Sequence, residues 1–289
     1  HPAIRDSSTS RGLGDVYKRQ IITGSANGIG SSLSRAFKKR NVESMILVDL
    51  DELNNTKLSN EVGGIPYKAD VGSEDDIIKL VEFAKQEMGG IDIFCSNAGI
   101  SGAGGLLNTS NEDWSNIWNV NVMSHIHAAK YTLPIMLEQG SGYFMNTASA
   151  AGLLTQLGAA GYSVTKSAAV SFAEWLKITY GERGIGVSCL CPQGVRTPMV
   201  EDAPEIVGSL VSIDGLLEPD VVANEVIECI EKDQFLITPH PEVLEYMKIK
   251  ASDPDRWING MQSLTTQLIE GFPEAKAMLR DLDKEEELS

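Results

Sequence analysis

The sequence predicts a doubly wound α/β fold, a three-layer sandwich with a seven-stranded parallel sheet. Short apolar runs alternate with helical patterns along most of the 289 residues, as in parallel sheets with crossover helices. A glycine-rich turn, Gly24-Ser25-Ala26-Asn27-Gly28-Ile29-Gly30, joins the first apolar run to the first helical pattern. Together these observations predict a Rossmann-like architecture.

The predicted elements alternate in order along the chain. Strands are expected near 16–23, 44–49, 65–69, 91–96, 142–147, 185–190 and 234–238. Helices are expected between them, near 28–40, 52–61, 73–88, 111–138, 161–181 and 218–232. Right-handed crossovers would place these helices on both faces of the sheet.

Three segments divide the chain. Residues 1–17 are rich in Ser, Arg and Gly and show no periodicity, so we interpret them as a non-native or disordered segment. Residues 18–240 would form the Rossmann-like domain. Residues 241–289 are predicted to be a helical extension that packs on the same domain. Three prolines mark expected helix starts in it, at Pro241, Pro254 and Pro273.

Composition narrows the class of protein. The chain is 42% apolar and 22% charged, which is typical of a globular domain, and its net charge of −16 argues against nucleic acid and anionic membrane surfaces as partners. No apolar stretch approaches the ~18 residues needed to span a bilayer, and no secretory signal is evident, so we expect a cytoplasmic protein. The four cysteines and four histidines are dispersed and predict reduced core thiols and no metal site.

The glycine turn is a candidate phosphate-binding site. Gly24, Gly28 and Gly30 allow the backbone to approach a ligand, and amides at the start of the next helix would hold a pyrophosphate. Asn27 and Ile29 lie in the same turn and are further cofactor-binding candidates. A tight turn without a ligand would also use glycines, but the order of strand, turn and helix favours a dinucleotide.

An acidic residue lies nineteen positions after Gly30. Asp49 ends the second predicted strand, where its carboxylate would accept hydrogen bonds from an adenosine ribose and repel a 2′-phosphate. Asn27 and Leu50 occupy positions where a base would offset that charge, and neither is Arg or Lys. The pattern favours NAD over NADP. A helix-cap or turn role for Asp49 is the alternative, although Asp51 would serve equally well.

A phenol and an ammonium lie four residues apart, at Tyr162 and Lys166, with Ser149 thirteen residues upstream of the tyrosine. Residues four apart share one helix face, and a nearby cation favours the phenolate. Lowering a tyrosine pKa from about 10 to about 7.5 requires roughly 3.4 kcal/mol, and a charge at ~4 Å supplies about 4 kcal/mol at an effective dielectric of ~20. Lys166 and a positively charged nicotinamide would together make Tyr162 a base for alcohol oxidation.

The glycine turn, Ser149, Tyr162 and Lys166, in this order, resemble the short-chain dehydrogenase/reductase family over about residues 20 to 240. Other motifs of the family fall at the expected places, namely Asp70-Val71, Asn97-Ala98-Gly99 and Asn119-Val120-Asn121. The resemblance implies that Asp70 and Val71 contact the adenine and that Asn97, Ala98 and Gly99 line the adenosine side.

The resemblance also implies catalytic roles. Tyr162 would take the hydroxyl proton while Ser149 holds the substrate oxygen and Lys166 grips the nicotinamide ribose. Asn121 would bend its helix and hold a water in the proton path. The nicotinamide carboxamide would be bound by two residues after the sixth strand, Val195 and Thr197.

The sequence departs from the family pattern twice. Gln193 stands where the family has glycine, and it would either reach toward the substrate or reflect a shifted turn. The helical C-terminal sequence replaces a glycine-rich segment that packs in family tetramers. We therefore expect a homodimer built through the helices near 111–138 and 161–181, with a homotetramer as the alternative.

Apolar residues near the predicted site suggest the substrate class. Residues 198–217 mix apolar with small and acidic side chains, and such a segment forms a substrate lid in the family. Core packing of an ordinary helix would give a similar pattern. Further apolar candidates are Leu153, Leu154 and Leu157, with Tyr246, Met247 and Trp257 either closing the pocket or covering the sheet edge.

The function expected from the sequence is NAD-dependent interconversion of an apolar secondary alcohol and its ketone, with a small molecule as the partner. Two alternatives stay open. One is an NADP-dependent carbonyl reductase, which Asp49 opposes. The other is a nucleotide-binding protein without catalytic activity, which the presence of Ser149, Tyr162 and Lys166 opposes.

Overall fold

The structure is a computed structural model that describes residues 18–102 and 104–281. The segment 1–17, including the start of the first predicted strand, lies outside the described residues. The same holds for the end of the chain from residue 282.

Seven parallel strands form a single sheet, which confirms the predicted fold class. The strands are β1 (Arg19–Thr23), β2 (Ser44–Asp49), β3 (Ile65–Lys68), β4 (Ile93–Ser96), β5 (Gly142–Thr147), β6 (Ile185–Leu190) and β7 (Leu236–Ile237). Their order is β3-β2-β1-β4-β5-β6-β7. The direction of winding reverses between β1 and β4, and ligands of such sheets bind in the crevice beyond the carboxyl ends at this point.

The crossover helices agree with the predicted ones to within a residue or two, apart from the fourth. The helices up to β6 are α1 (Gly28–Lys39), α2 (Glu52–Val62), α3 (Glu74–Met88), α4 (Asn111–Trp118), α5 (Ser124–Gln139), α6 (Ala150–Leu154) and α7 (Ala160–Tyr180). Those after β6 are α8 (Pro198–Glu201), α9 (Glu205–Val211), α10 (Pro219–Glu231), α11 (Glu242–Ser252), α12 (Pro254–Gly271) and α13 (Lys276–Arg280).

The predicted helix near 111–138 is interrupted. A π-helical turn, Asn119–Met123, separates α4 from α5. In this turn the N–H of Ser124 donates to the carbonyl of Asn119, five residues earlier, so one extra residue is accommodated. The final strand is also shorter than predicted, with two residues in place of five.

Apolar side chains fill both faces of the sheet because successive strand residues point in opposite directions. Ile21 packs in one layer, with Phe94, Phe144 and Val187. Its neighbour Ile22 packs in the other layer, together with Leu47, Met145 and Leu190. Packing on both faces holds the strands in a rigid sheet. Because the strands are parallel, their carboxyl ends lie along one edge.

The C-terminal extension begins its helices at the predicted prolines. Pro241 is the N-cap residue of α11, Pro254 starts α12, and Pro273 opens a short 3₁₀ turn before α13. Lys250 of α11 donates from Nζ to the carbonyl oxygen of Leu153 at 2.7 Å. The extension therefore contacts α6, the short helix that follows β5.

Disulfides, metal-binding clusters and membrane-spanning helices are absent from the described residues. The four cysteines are all buried, as the sequence predicts, and none forms a disulfide. No cluster of three or more His, Cys, Asp or Glu side chains suited to a metal ion occurs in the described part of the chain. Of its helices, none combines the length and apolar character needed to cross a membrane.

Candidate active site

A cavity of about 670 Å³ follows the carboxyl ends of the strands. It is lined by Asp49, at the end of β2, by Ser149, after β5, and by the loop that follows β6. Predicted site residues that line it are Gly24, Asn27, Gly28, Ile29, Asp49, Asn97, Ala98, Gly99, Ser149, Tyr162, Lys166, Val195 and Thr197. The predicted cofactor and catalytic residues thus share one continuous space.

Five predicted site residues do not line the cavity, namely Gly30, Leu50, Asp70, Val71 and Asn121. Leu50 is 61% exposed next to Asp49, and Val71 is buried in the core. Asp70 Oδ1 accepts from the N–H of Gly72 at 2.9 Å, which stabilises the turn before α3. Binding roles for these residues stay predictions.

The glycine turn has the geometry that a dinucleotide requires. Gly24 and Gly28 have φ values of +65° and +52°, a region that side chains with a Cβ rarely adopt. A Cβ at Gly28 would lie 2.8 Å from Cγ2 of Thr197, so the glycine allows the turn and the loop after β6 to approach this closely. The residues of the turn, the N-terminus of α1 and Asp49 fit a dinucleotide, whose phosphates the amides would hold and whose ribose the carboxylate would bind.

Gly30 has a packing role. A Cβ at this position would overlap the carbonyl oxygen of Gly24, and rigid backbone cannot move aside as a side chain would.

We expect Gly30→Ala to lower the free energy of unfolding by about 3 kcal/mol. Thermal unfolding with Gly260→Ala as control tests this, since a Cβ at Gly260 in α12 meets nothing. The control would gain up to ~1 kcal/mol of stability, and an equal gain for Gly30→Ala would contradict the packing argument.

Asp49 combines a turn role with its place in the cavity. Its Oδ2 accepts from the N–H of Ala26 at 2.9 Å and its Oδ1 from the N–H of Asp51 at 3.0 Å. Asp51 is the residue that caps α2, because its carboxylate accepts from the N–H of Asn54. Asp49 is therefore fixed in orientation at the cavity wall.

Ser149 is held at the start of α6. Its backbone is extended and its Oγ accepts from the N–H of Ala151 at 3.1 Å. The hydroxyl also lies 3.5 Å from the carbonyl oxygen of Pro192, in the segment after β6. These contacts place the hydroxyl between the ends of β5 and β6.

Tyr162 and Lys166 lie one turn apart near the start of α7. Lys166 is buried, with its Nζ 5.6 Å from the centroid of the Tyr162 ring. The same Nζ donates to the carbonyl oxygen of Thr147 at 3.0 Å. Sequence reasoning did not identify Thr147, whose backbone carbonyl orients the lysine and whose hydroxyl donates to Oδ1 of Asn97.

The protein environment shifts both pKa values. Burial raises the pKa of Tyr162 above its ordinary value, and a hydrogen bond with Ser149 opposes part of this effect. Burial also lowers the pKa of Lys166 to about 8. The tyrosine thus meets a desolvation penalty that the sequence argument left out, and its ionisation depends more strongly on nearby positive charge.

Asn121 lies in the π-helical turn behind the cavity. Its Oδ1 accepts from the N–H of Ile100 at 2.9 Å, and its Nδ2 donates to the carbonyl oxygen of Ile100 and to Oγ1 of Thr165. A Cβ at Gly99 would lie 3.2 Å from Asn121 Oδ1 and 3.1 Å from Lys166 Nζ. Asn121 therefore fixes the loop that follows β4, and Gly99 leaves space beside the lysine.

Asn97 joins the ends of three strands. Its Nδ2 donates to the carbonyl oxygen of Thr23 at 3.0 Å, and its Oδ1 accepts from Thr147. The backbone N–H groups of Asn97 and Ala98 both donate to Oγ1 of Thr23. The residue steadies the central strands where they border the cavity.

Gln193 lies in the loop after β6, and its two alternative interpretations stay predictions. The residue lines the cavity, and its Nε2 donates to Oδ2 of Asp214 at 2.9 Å. Asp214 also accepts from the hydroxyl of Tyr246 in α11. Tyr246 therefore anchors this loop from outside the cavity.

The predicted lid contributes apolar residues to the cavity, while other candidates lie elsewhere. Lining residues from this segment include Met199, Val200, Val207 and Val211. The lining does not include Leu153, Leu154, Leu157, Tyr246, Met247 or Trp257. The extension contributes instead Met278 of α13, which the sequence did not indicate.

The fold and site define a nucleotide-binding oxidoreductase. A family model described as short chain dehydrogenase matches residues 18–206. The chain is 30% identical to oxidoreductase UcpA of Salmonella typhimurium over 253 residues, covering 86% of this chain and 92% of the relative. The chain belongs to the short-chain dehydrogenase/reductase family.

Two further comparisons agree with this assignment. Meso-2,3-butanediol dehydrogenase of Serratia marcescens is 29% identical over 213 residues, which cover 70% of this chain and 83% of the relative. The crystal structure of a short chain dehydrogenase/reductase from Burkholderia phymatum, in complex with NAD, superposes with a TM-score of 0.76. That match has 26% identity and covers 83% of this chain and 94% of the other.

Proposed function

We propose that this protein is an NAD-dependent oxidoreductase that interconverts an apolar secondary alcohol and its ketone. One observation carries the proposal: Ser149, Tyr162 and Lys166 line the same cavity as Asp49 and the glycine turn. The relative named for butanediol oxidation and the structure in complex with NAD support this choice. The apolar lid residues Met199, Val200, Val207 and Val211 favour an apolar substrate.

Tyr162, Ser149 and Lys166 have separate roles in the proposed reaction. Bound NAD would accept a hydride from the carbinol carbon. Tyr162 takes the hydroxyl proton, and the Oγ of Ser149 donates to the substrate oxygen. The charged form of Lys166 stabilises the phenolate of Tyr162 and so opposes the desolvation that raises the tyrosine pKa.

Asp49 supports NAD over NADP. Its carboxylate is fixed by the N–H groups of Ala26 and Asp51, so it cannot easily turn away from the cavity. A 2′-phosphate placed there would be repelled, and the neighbouring Leu50 carries no compensating charge.

The proposed function is tested by initial rates with a panel of aliphatic, aryl, terpene and steroid secondary alcohols, each with NAD and with NADP. We expect turnover of apolar alcohols with NAD, read from the nicotinamide absorbance. Turnover that requires NADP would favour the carbonyl reductase, and cofactor binding without turnover of any alcohol would favour the nucleotide-binding protein.

The pH dependence of kcat/KM should differ between alcohol oxidation and ketone reduction. Oxidation needs Tyr162 as phenolate, and because burial raises its pKa, the phenolate fraction grows about tenfold per pH unit below that pKa. Loss of the proton from Lys166, whose pKa is about 8, would then weaken the rise. We expect kcat/KM for oxidation to rise from about pH 6 to pH 8 while that for reduction does not. An oxidation rate independent of pH over this range would contradict the role of Tyr162.

We also propose a homodimer built through α4, α5 and α7. Several large apolar side chains of α7 are exposed in the single chain, with Val164 at 50%, Trp175 at 52% and Ile178 at 75%. Such a patch favours burial against a second copy. Light scattering coupled to gel filtration would decide between a monomer, a dimer and a tetramer.

A further inference from the structure

The last described helix returns to the cavity. α13 begins about forty residues after β7, yet its residue Met278 lines the same space as Tyr162. Met278 lies beside the segment that joins α6 to α7, from which Gln156, Gly158 and Ala159 also line the cavity. The extension thus reaches the cavity next to the segment that leads into the helix of Tyr162, and we call this part the substrate end of the cavity.

Met278 fits between two loops that have glycine at the contact points. A Cβ at Gly158 would lie 3.2 Å from Cε and Cγ of Met278, and a Cβ at Gly104 would lie 3.8 Å from its Cγ. Any larger residue at Gly158, which has a φ of +69°, would displace the methionine. The thioether side chain therefore forms part of the wall.

Polar contacts fix α13 in this place. Asp281 has a φ of +52°, and its Oδ2 accepts from the N–H of Leu106 at 2.7 Å. Its Oδ1 accepts from the N–H of Leu107 at 3.2 Å. The guanidinium of Arg280 donates to Oγ1 of Thr266 in α12 at 3.0 Å. Hydrogen bonds to a charged carboxylate are among the stronger ones, so this end is well anchored.

We infer that α13 closes the substrate end of the cavity in its own chain and that Met278 limits the size of the apolar group that the substrate carries. The size limit rests on the proposed function, whereas the position of the helix does not. An apolar wall contributed by a flexible methionine suits an unbranched aliphatic group.

Size selection is tested with Met278→Ala and Met278→Trp. The ratio of kcat/KM for 2-octanol to that for 2-butanol should rise about tenfold for the alanine variant and fall for the tryptophan variant, with KM for NAD unchanged within about twofold. Met261→Ala is the matched control, because Met261 lies in α12 outside the cavity. Equal changes for both alcohols, or the same change in the control, would overturn the inference.

If the unaltered enzyme oxidises no alcohol of the panel, the proposed function fails. In that case, or if it oxidises neither of these two alcohols, size selection is read from the binding of 2-octanone and 2-butanone by calorimetry with NADH present. The ratio of the affinity for 2-octanone to that for 2-butanone should then rise for Met278→Ala and fall for Met278→Trp. An unchanged ratio would overturn the size limit.

The position of α13 is tested separately by hydrogen exchange of the Leu106 and Leu107 amides. Asp281→Gly tolerates the positive φ but removes the acceptor, so exchange should accelerate about tenfold. Asp281→Asn, which keeps a carbonyl oxygen, should restore most of the protection. Unchanged exchange in the glycine variant would overturn the placement of the helix.

Discussion

Tyr162→Phe is expected to reduce turnover about a thousandfold while NAD still binds with an affinity within a few-fold of the original. The substitution removes the hydroxyl that takes the proton but retains the ring beside Lys166. Because the tyrosine is the proposed proton acceptor, its lost hydroxyl cannot be replaced by Ser149, whose hydroxyl donates to the substrate oxygen in the same step. Steady-state rates and NAD titration by fluorescence measure the two effects.

The matched control is Tyr180→Phe. Tyr180 ends the same helix, and its ring contacts Trp175 and Arg183 far from the cavity lining. Loss of its hydroxyl should leave turnover within about twofold. Turnover in Tyr162→Phe as high as in this control would remove the tyrosine from the mechanism.

Replacing Asp49 by Ser together with Leu50 by Arg is expected to raise the ratio of kcat/KM for NADP to that for NAD at least about a hundredfold. A carboxylate within ~4 Å of a phosphate charge costs about 4 kcal/mol at an effective dielectric of ~20, which is close to a thousandfold in affinity. Leu50 is 61% exposed, so an arginine there has room to reach the phosphate. Initial rates with both cofactors give the ratio directly.

Asp51→Ser controls for the loss of an acidic residue in this turn. Serine replaces aspartate well as an N-cap residue, so α2 should keep its start. The cofactor ratio of this variant should stay within about threefold of the original. An equal shift in both variants would mean that net charge, rather than the position of Asp49, selects the cofactor.

Much of the fold follows from local chemistry. The apolar runs that predict β1, β2, β4, β5 and β6 are largely buried on both faces of the sheet, so their patterns are uninterrupted and easy to read. The pairing of Tyr162 with Lys166 is also local, because both lie on one helix. The two-residue strand β7 is harder to predict, since only Leu236 and Ile237 pair with β6.

Other features depend on contacts between distant parts of the chain. Spacing predicts that Lys166 favours ionisation of Tyr162, but the burial that raises the tyrosine pKa comes from packing around the cavity. The position of Met278 depends on how α11, α12 and α13 fold back, with Asp281 bound to a loop about 175 residues earlier. The π-helical turn at Asn121 is likewise stabilised by Ile100 and Thr165, which are remote in sequence.

The central claim is that hydride passes from a secondary carbinol carbon to NAD in this cavity. The most direct measurement uses a secondary alcohol that the enzyme oxidises, deuterated at the carbinol carbon. Mass spectrometry of the nicotinamide product then follows the deuterium. Direct transfer predicts one deuterium in each NADH, together with a ketone that has lost it. NADH without deuterium, or a ketone formed without NADH, would contradict the account.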